Sequence, residues 1–439
     1  MRDIALFLGG IAVLLPALTR PFICLMLWIW TSLLTPNGML WGFMAPVPFN
    51  KIVVGTTLIS LFAGDRKKDI HINGSSIMMM MMLTVGIISM SSTIASSTDV
   101  VYPMFDRFWK INVLCVLVPI FITTRTRVHS FAAAVTLGLG YLGVVEGLKF
   151  VATAGTYHIT NTSNFGDNNH FALACLMIVP IGLYLYVYSE HQLTRLGFLA
   201  VSLLSLTSVI ATFSRGGFIG LLAMGMCFVL RTRRKVLSLS LIVLAGLPLI
   251  FLAPKAYVER INTIESADQD NSFTGRVIAW KISTLIALDR PLLGAGFHGI
   301  QDQAVWSRYR ADAPYLDFII PTPEPDIYPH AAHSIYFEIL GDLGFTGLTL
   351  FLLLLARAAV NTIVIRRYTK GKNEWTWCYD LAGAMQFSLI AFVVSGAALS
   401  MGYFELMYVI VALLERLRRT VEAERRVAHS LVMVPARAI

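Results

Sequence analysis

Charge is scarce in this chain. Only 14% of its 439 residues are Asp, Glu, Lys or Arg, against about a quarter in ordinary soluble domains. With 56% hydrophobic residues and a mean hydropathy of +0.68, a water-soluble core could not hide the apolar surface, so lipid must cover it. Cysteine is also sparse. Cys24, Cys115, Cys175 and Cys227 lie inside apolar runs and Cys378 at the edge of one, which points away from a disulfide frame and toward buried thiols. The apolar runs do not alternate with a period of two, which excludes a membrane β-barrel. No small-x-small cleavage site follows the first run, so it is expected to stay as a helix rather than leave as a signal peptide. No internal repeat is visible, as paired halves of a transporter would require, and the polar residues do not gather at mid-span.

What the chain has in abundance is long apolar runs. At roughly 20 residues per crossing, candidate spans fall near 4–18, 21–35, 50–64, 76–94, 108–124, 130–150, 170–188, 195–213, 216–230, 236–253, 334–358, 380–399 and 402–416. The expected fold is all-α: a polytopic membrane protein with about 12 transmembrane helices and one long outward loop with helical content. Twelve or thirteen spans are both compatible with the runs. The implied organisation is N-terminal transmembrane helices over 1–150, central helices over 151–253, a large loop over 254–333, C-terminal helices over 334–417 and a tail over 418–439.

The net charge of +9 is unevenly spread. Basic clusters stand at Arg66-Lys67-Lys68, at Arg125 and Arg127, at Arg231 with Arg233-Arg234-Lys235, at Arg366-Arg367 with Lys370 and Lys372, and over residues 416–426. Each adjoins a span end, where the positive-inside rule places it in the cytoplasm. Residues 254–332, with seven Lys/Arg against ten Asp/Glu for a net charge of −3, then fall outside.

Three separated segments meet on that outward side. The first, over 156–170, contains Asn164-Phe-Gly-Asp167-Asn168-Asn169-His170. The second is the turn Phe213-Ser214-Arg215-Gly216-Gly217. The third is the end of the long loop, His330-Ala-Ala-His333-Ser334, leading into a span that carries Tyr336, Glu338 and Asp342. Arg215 sits in so short a turn that it must stay near the hydrocarbon boundary. It either snorkels to headgroup phosphates or grips a phosphate ligand with its planar fork, with Gly216-Gly217 letting backbone approach. Arg276 and Arg290 are either solvated charges or further anion contacts. Gly294-Ala-Gly296 indicates a tight turn packed on other backbone, and a lone G-x-G without a preceding strand marks no nucleotide site. His330 and His333 alone do not make a metal centre, because no other ligand cluster has the spacing. Glu338 and Asp342 are expected to share a helical face with His333, and ionisable groups within a span tend to be functional.

The pattern Asp167-Asn-Asn169-His-Phe-Ala172, Ser214-Arg215-Gly216-Gly217, Gly275-Arg276 with Trp280, Arg290-Pro291-Leu-Leu-Gly294-Ala-Gly296, His333-Ser334-Ile-Tyr336 and Leu343-Gly344 resembles the O-antigen ligase and O-antigen polymerase superfamily. The likeness spans roughly residues 150–400 in the same order. The N-terminal third, with Asn37-Gly-Met-Leu-Trp41, looks like ligases associated with exosortase systems. His333-Ser334 departs from relatives that often carry His-Asn. The resemblance implies a glycosyltransferase of the bacterial inner membrane with its active site toward the periplasm. The donor would be a glycan on undecaprenyl diphosphate and the acceptor lipid A–core of lipopolysaccharide; a polymerase would use a second lipid-linked glycan, and a third branch a protein hydroxyl. Carried onto this chain, His333, Arg215 and Arg276 would be catalytic, and Arg290, Asp167, Asn169, His330 and Glu338 substrate-binding. No metal, cofactor or nucleic-acid partner is expected, since arginines can neutralise a diphosphate leaving group.

Overall fold

The computed structural model describes residues 1–63, 72–162, 165–232 and 271–432. Among them are fourteen α-helices and no strand. The helices are α1 (Arg2–Ala17), α2 (Pro21–Leu34), α3 (Phe49–Ala63), α4 (Gly74–Ser91), α5 (Thr98–Phe121), α6 (Arg125–Ala152), α7 (Asn168–Tyr188), α8 (Gln192–Ala211), α9 (Arg215–Arg231), α10 (Asn271–Asp289), α11 (Gln303–Tyr309), α12 (Ile335–Thr369), α13 (Thr376–Gly396) and α14 (Glu405–Val432). The expected span over 236–253, the clusters Arg66-Lys67-Lys68 and Arg233-Arg234-Lys235, residue Asn164 and the first part of the long loop lie outside the described residues.

The chain is an all-α, multi-pass membrane protein. Among the described residues, six helices are long and apolar enough to cross a bilayer by length and composition: α4, α6, α7, α8, α12 and the stretch Asn373–Gly396 that contains α13. The other expected spans coincide with shorter helices or with ones richer in charge. Helices α1, α2 and α3 have 16, 14 and 15 residues, and α5 carries Asp106, Arg107 and Lys110 along its length. Arg20-Pro21 separates α1 from α2, with Pro21 at the first helical position, where its missing N–H costs nothing. Helix α14 runs unbroken from Glu405 through the expected tail to Val432.

Helix α7 is the hub. Residues 171–182 are buried throughout, and the helix packs on α6, α8, α9 and α13. Helix α12 contacts α4, α10, α13 and α14, while Leu352, Leu353, Val360 and Ile363 on it stay exposed, as a lipid-facing surface requires. All five cysteines are free.

Helix α12 is broken at Gly344, whose backbone is non-helical at φ +65°. The break leaves helix carbonyls and an amide to be satisfied elsewhere, and the tight glycine turn after α10 does so. Ala295 N donates to Gly341 O (2.9 Å), Gly296 N to Asp342 O (3.1 Å), and Phe345 N to Pro291 O (2.8 Å). A Cβ on Gly344 would lie 2.5 Å from Pro291 O, and one on Gly294 2.5 Å from Gly341 O, so both positions need glycine for space as well as for φ. Asp302 locks the other end of this turn. Its carboxylate caps α11 through Ala304 N and Val305 N and accepts from Ser96 N and Ser97 N between α4 and α5.

Candidate functional site

The first two segments interlock at the starts of α7 and α9. Asp167 caps α7, its Oδ1 accepting from Asn169 N and Asn169 Nδ2, both at 2.7 Å. Ser214 caps α9 by accepting from Gly217 N (2.9 Å) and donates its own hydroxyl to Asn169 Oδ1 (2.6 Å). Asn168 Nδ2 reaches Thr212 O at 2.7 Å. Two helix N-termini are thereby pinned side by side, with Arg215 in the first turn of α9. Their partial positive charges favour an anion.

The third segment joins through α13. Ser395 Oγ donates to Gly216 O (3.0 Å), and Ser400 Oγ accepts from His333 N (2.8 Å). His333 does not begin α12, as its position in the sequence suggested. Helix α12 starts at Ile335 behind an extended Ser334, and His333 itself is left-handed at φ +44°. Its ring is therefore set by the loop and not by the helical face of Glu338 and Asp342. Phe213, beside the Arg215 turn, and His298 are also left-handed, at φ +49° and +52°. For residues with a Cβ such conformations cost about 1–3 kcal/mol, and they cluster at functional sites.

His333 is half-buried, and among the described residues nothing hydrogen-bonds its Nδ1. Burial holds the imidazole below the ordinary histidine range; the Arg276 guanidinium and His170 push the same way, against the pull of Asp167 and Glu338. The charged groups that act on the ring come from three separate segments: Arg276 from α10, Asp167 and His170 from the start of α7, and Glu338 from α12. Arg276 belongs to α10, and Trp280 one turn on donates to Ala332 O (2.7 Å) and stacks on Phe337 with ring centroids 5.1 Å apart, so α10 and the His333 loop are held together.

Glu338 faces the interior. Its Oε2 accepts from Gly402 N (2.7 Å) and its Oε1 lies 3.1 Å from His298 Nε2. Burial disfavours a charged His298, but the Glu338 carboxylate and, further off, Asp342 outweigh it and raise its pKa. Asp342 accepts from Tyr403 OH at 3.0 Å. His298 and Tyr403 escaped the sequence reading. The one available signal for His298 was its place immediately after the glycine turn.

Arg290 is placed differently from the other arginines. Its Nε donates to Gly294 O and one terminal nitrogen to Ser92 O, both at 2.6 Å, which ties the glycine turn to the end of α4. His330 lies on the outer side, 3.2 Å from Asp326 Oδ2 and edge-on to Trp306. The structure thus brings Asp167, Asn169, Arg276, His333 and Glu338 together, with Arg215 at the start of the adjoining α9, Arg290 in the glycine turn and His330 beside Gly275. Among the described residues no group of three or more His, Cys, Asp or Glu is arranged to hold a metal ion.

Comparison with known families bears on this geometry directly. Residues 200–352, which include Arg215, Arg276, the glycine turn, His333 and the α12 break, match the O-antigen ligase family. That match supports the O-antigen ligase and polymerase superfamily for this part of the chain. Residues 1–191 match a family of unknown function, DUF5935. No curated protein matches the chain. The match supports a ligase- or polymerase-type, glycosyltransferase-like character for the domain over residues 200–352.

Proposed function

We propose that this protein transfers a glycan from undecaprenyl diphosphate to a sugar hydroxyl of lipid A–core, at the periplasmic face of the bacterial inner membrane. The observation that carries the reading is the His333 ring: half-buried, with its pKa pushed below the ordinary histidine value, its Nδ1 buried without a hydrogen-bond partner among the described residues, and Arg276 at its side. A histidine that favours the neutral imidazole suits a proton acceptor for an incoming hydroxyl.

In this mechanism the acceptor oxygen attacks the anomeric carbon of the donor sugar. The bond from that carbon to the diphosphate oxygen breaks, the electron pair leaves with the diphosphate, and the hydroxyl proton passes to His333. The developing charge on the leaving group falls to Arg215, Arg276 and the N-termini of α7 and α9. Asp167 and Asn169 set the Ser214–Arg215 turn through the capping bonds, and Glu338 orients the region behind His333 through His298 and Gly402. Undecaprenyl as carrier and lipid A–core as acceptor come from the superfamily likeness. A polymerase or a protein O-oligosaccharyltransferase would differ in the acceptor alone.

The test is a reconstituted assay. Purified protein in proteoliposomes receives glycan-bearing undecaprenyl diphosphate with lipid A–core, with a second lipid-linked glycan, or with a hydroxyl-bearing acceptor protein. A product on lipid A–core alone supports ligation. Ladder formation without lipid A–core would replace it by polymerisation, and glycosylated protein alone by protein transfer. No product with any acceptor would refute the reading.

A further inference from the structure

A second polar chamber lies next to this site. Its volume is about 310 Å³, and its walls come from the end of α2, the start of α3, the middle of α5 and the start of α14. That size stands at the lower end of small-molecule sites, about 300–1,000 Å³. None of the residues assigned to transfer lines it. Most of its walls belong to the 1–191 region, for which the family match assigns no activity.

The chamber adjoins the transfer site. Phe165, two residues before Asp167, and Phe404 both line it, with ring centroids 6.3 Å apart. Glu405 follows Phe404, and Gly402 on the same connection donates to Glu338. A molecule that fills the chamber therefore ends beside the loop carrying Asp167.

Its chemistry selects the ligand. Arg107 donates to both oxygens of Glu405, at 2.8 and 2.5 Å, and Lys110 to Asp106 at 2.5 Å. The lining residues carry two cations and two carboxylates, Lys51 outside the lining lies 4.0 Å from Asp106 Oδ2 as well, and each cation already holds a carboxylate. An anion would have to displace those partners. A sugar hydroxyl would not, because it donates to a carboxylate and accepts from a cation at once. Arg107 keeps 42% of its side chain exposed despite the pairing, so the ion pairs offer polar edges to a ligand. Also in the lining, Asn50 Nδ2 donates to Thr31 Oγ1 (3.1 Å) and Ser32 Oγ (3.0 Å), which holds the amide and two hydroxyls together. The phenylalanine rings supply apolar surface for the C–H face of a sugar ring.

We propose that this chamber is a binding subsite for one uncharged sugar unit of a substrate glycan. That the sugar belongs to a substrate rests on the proposed transfer reaction; that the chamber binds a neutral sugar does not. The full chain would be placed in nanodiscs free of glycosidic detergent and probed by saturation-transfer NMR with methyl glycosides of glucose, galactose and N-acetylglucosamine, with inorganic pyrophosphate as competitor. Saturation of glycoside ring protons is expected, undiminished by pyrophosphate. Two variants remove the subsite differently: Ser32→Phe fills the chamber, and Asn50→Leu removes the fixed amide. Both should weaken the signal, and a folded Asn50→Leu protein carries the test if Ser32→Phe does not fold. In the transfer assay either variant should raise one KM by about 2- to 10-fold or more, the worth of one neutral hydrogen bond. A rise confined to the acceptor assigns the sugar to the acceptor, and one confined to the donor assigns it to the donor glycan. Absence of saturation with every glycoside, an unchanged signal in both folded variants, or displacement by pyrophosphate would overturn the subsite. Glycoside binding in a wild-type protein that transfers no glycan would leave the subsite standing and defeat the transfer reading.

Discussion

Replacing His333 is the perturbation with the most to say about the site. General-base help is worth about 10²–10⁴-fold in rate, which is about 3–5 kcal/mol of transition-state stabilisation. His333→Ala should lose that much turnover while still binding the lipid-diphosphate donor, since Arg215 and Arg276 remain. The left-handed backbone at this residue supplies a control. Alanine keeps the strain of φ +44°, whereas glycine relieves about 1–3 kcal/mol of it, so His333→Gly should be at least as stable as wild type. If the alanine defect came from a disturbed loop, glycine would recover activity; if it came from loss of the base, glycine would be equally inactive. The pH profile gives an independent readout. The active form is the neutral ring, and its pKa is held below that of an ordinary histidine, about 6.5. Wild-type turnover should therefore be flat around neutrality and fall only as the pH drops below the usual histidine range. That acid limb should vanish in both variants. The assay is initial transfer rate against pH, with donor binding measured in parallel. Wild-type rates in His333→Gly, or an acid limb that persists in it, would refute the assignment.

Three further outcomes are expected. Arg215→Ala should abolish transfer, and Arg215→Lys should recover little of it because a point charge does not replace a bidentate fork; near-normal turnover by folded Arg215→Ala protein would remove Arg215 from the mechanism. Activity should survive EDTA, because the charge on the leaving group is assigned to arginines; loss restored by Mg²⁺, Mn²⁺ or Zn²⁺ would contradict that assignment. Gly344→Ala should lower the thermal unfolding temperature and turnover together, since its Cβ would lie 2.5 Å from Pro291 O at φ +65° and the left-handed conformation alone costs about 1–2 kcal/mol; an unchanged unfolding temperature would show that the glycine turn does not need this break.

Much of the membrane architecture was legible because apolar length is a one-dimensional property. The runs at 76–94, 130–150, 170–188 and 195–213 lie within five residues of the helix limits of α4, α6, α7 and α8. The run at 108–124 was placed too late, because Asp106, Arg107 and Lys110 interrupt the apolar pattern within α5, where Arg107 pairs with Glu405, 298 residues away. Such a pairing has no local signature. The same holds for the break in α12: Gly344 could be seen, and the glycine turn suggested close backbone contact, but only the fold shows that Gly294 and Gly296 satisfy the groups the break releases. The segments carrying Asp167, Ser214 and His333 could be proposed as neighbours from loop order alone. Which side chains face one another could not. Arg290 and Arg276 look alike in sequence, yet Arg290 spends its donors on two backbone carbonyls. His298, an isolated histidine in a loop, shows its link to Glu338 only in three dimensions.

The central claim is that a lipid diphosphate is the donor and that its departure depends on the arginine at the start of α9. The most direct measurement is the amount of undecaprenyl diphosphate released against the amount of glycan transferred, by mass spectrometry of a reconstituted single-turnover reaction. The account predicts one lipid diphosphate freed per glycan moved by the wild-type protein, and neither product from Arg215→Ala. Glycan transfer without matching release of lipid diphosphate, or undiminished release by Arg215→Ala, would contradict it.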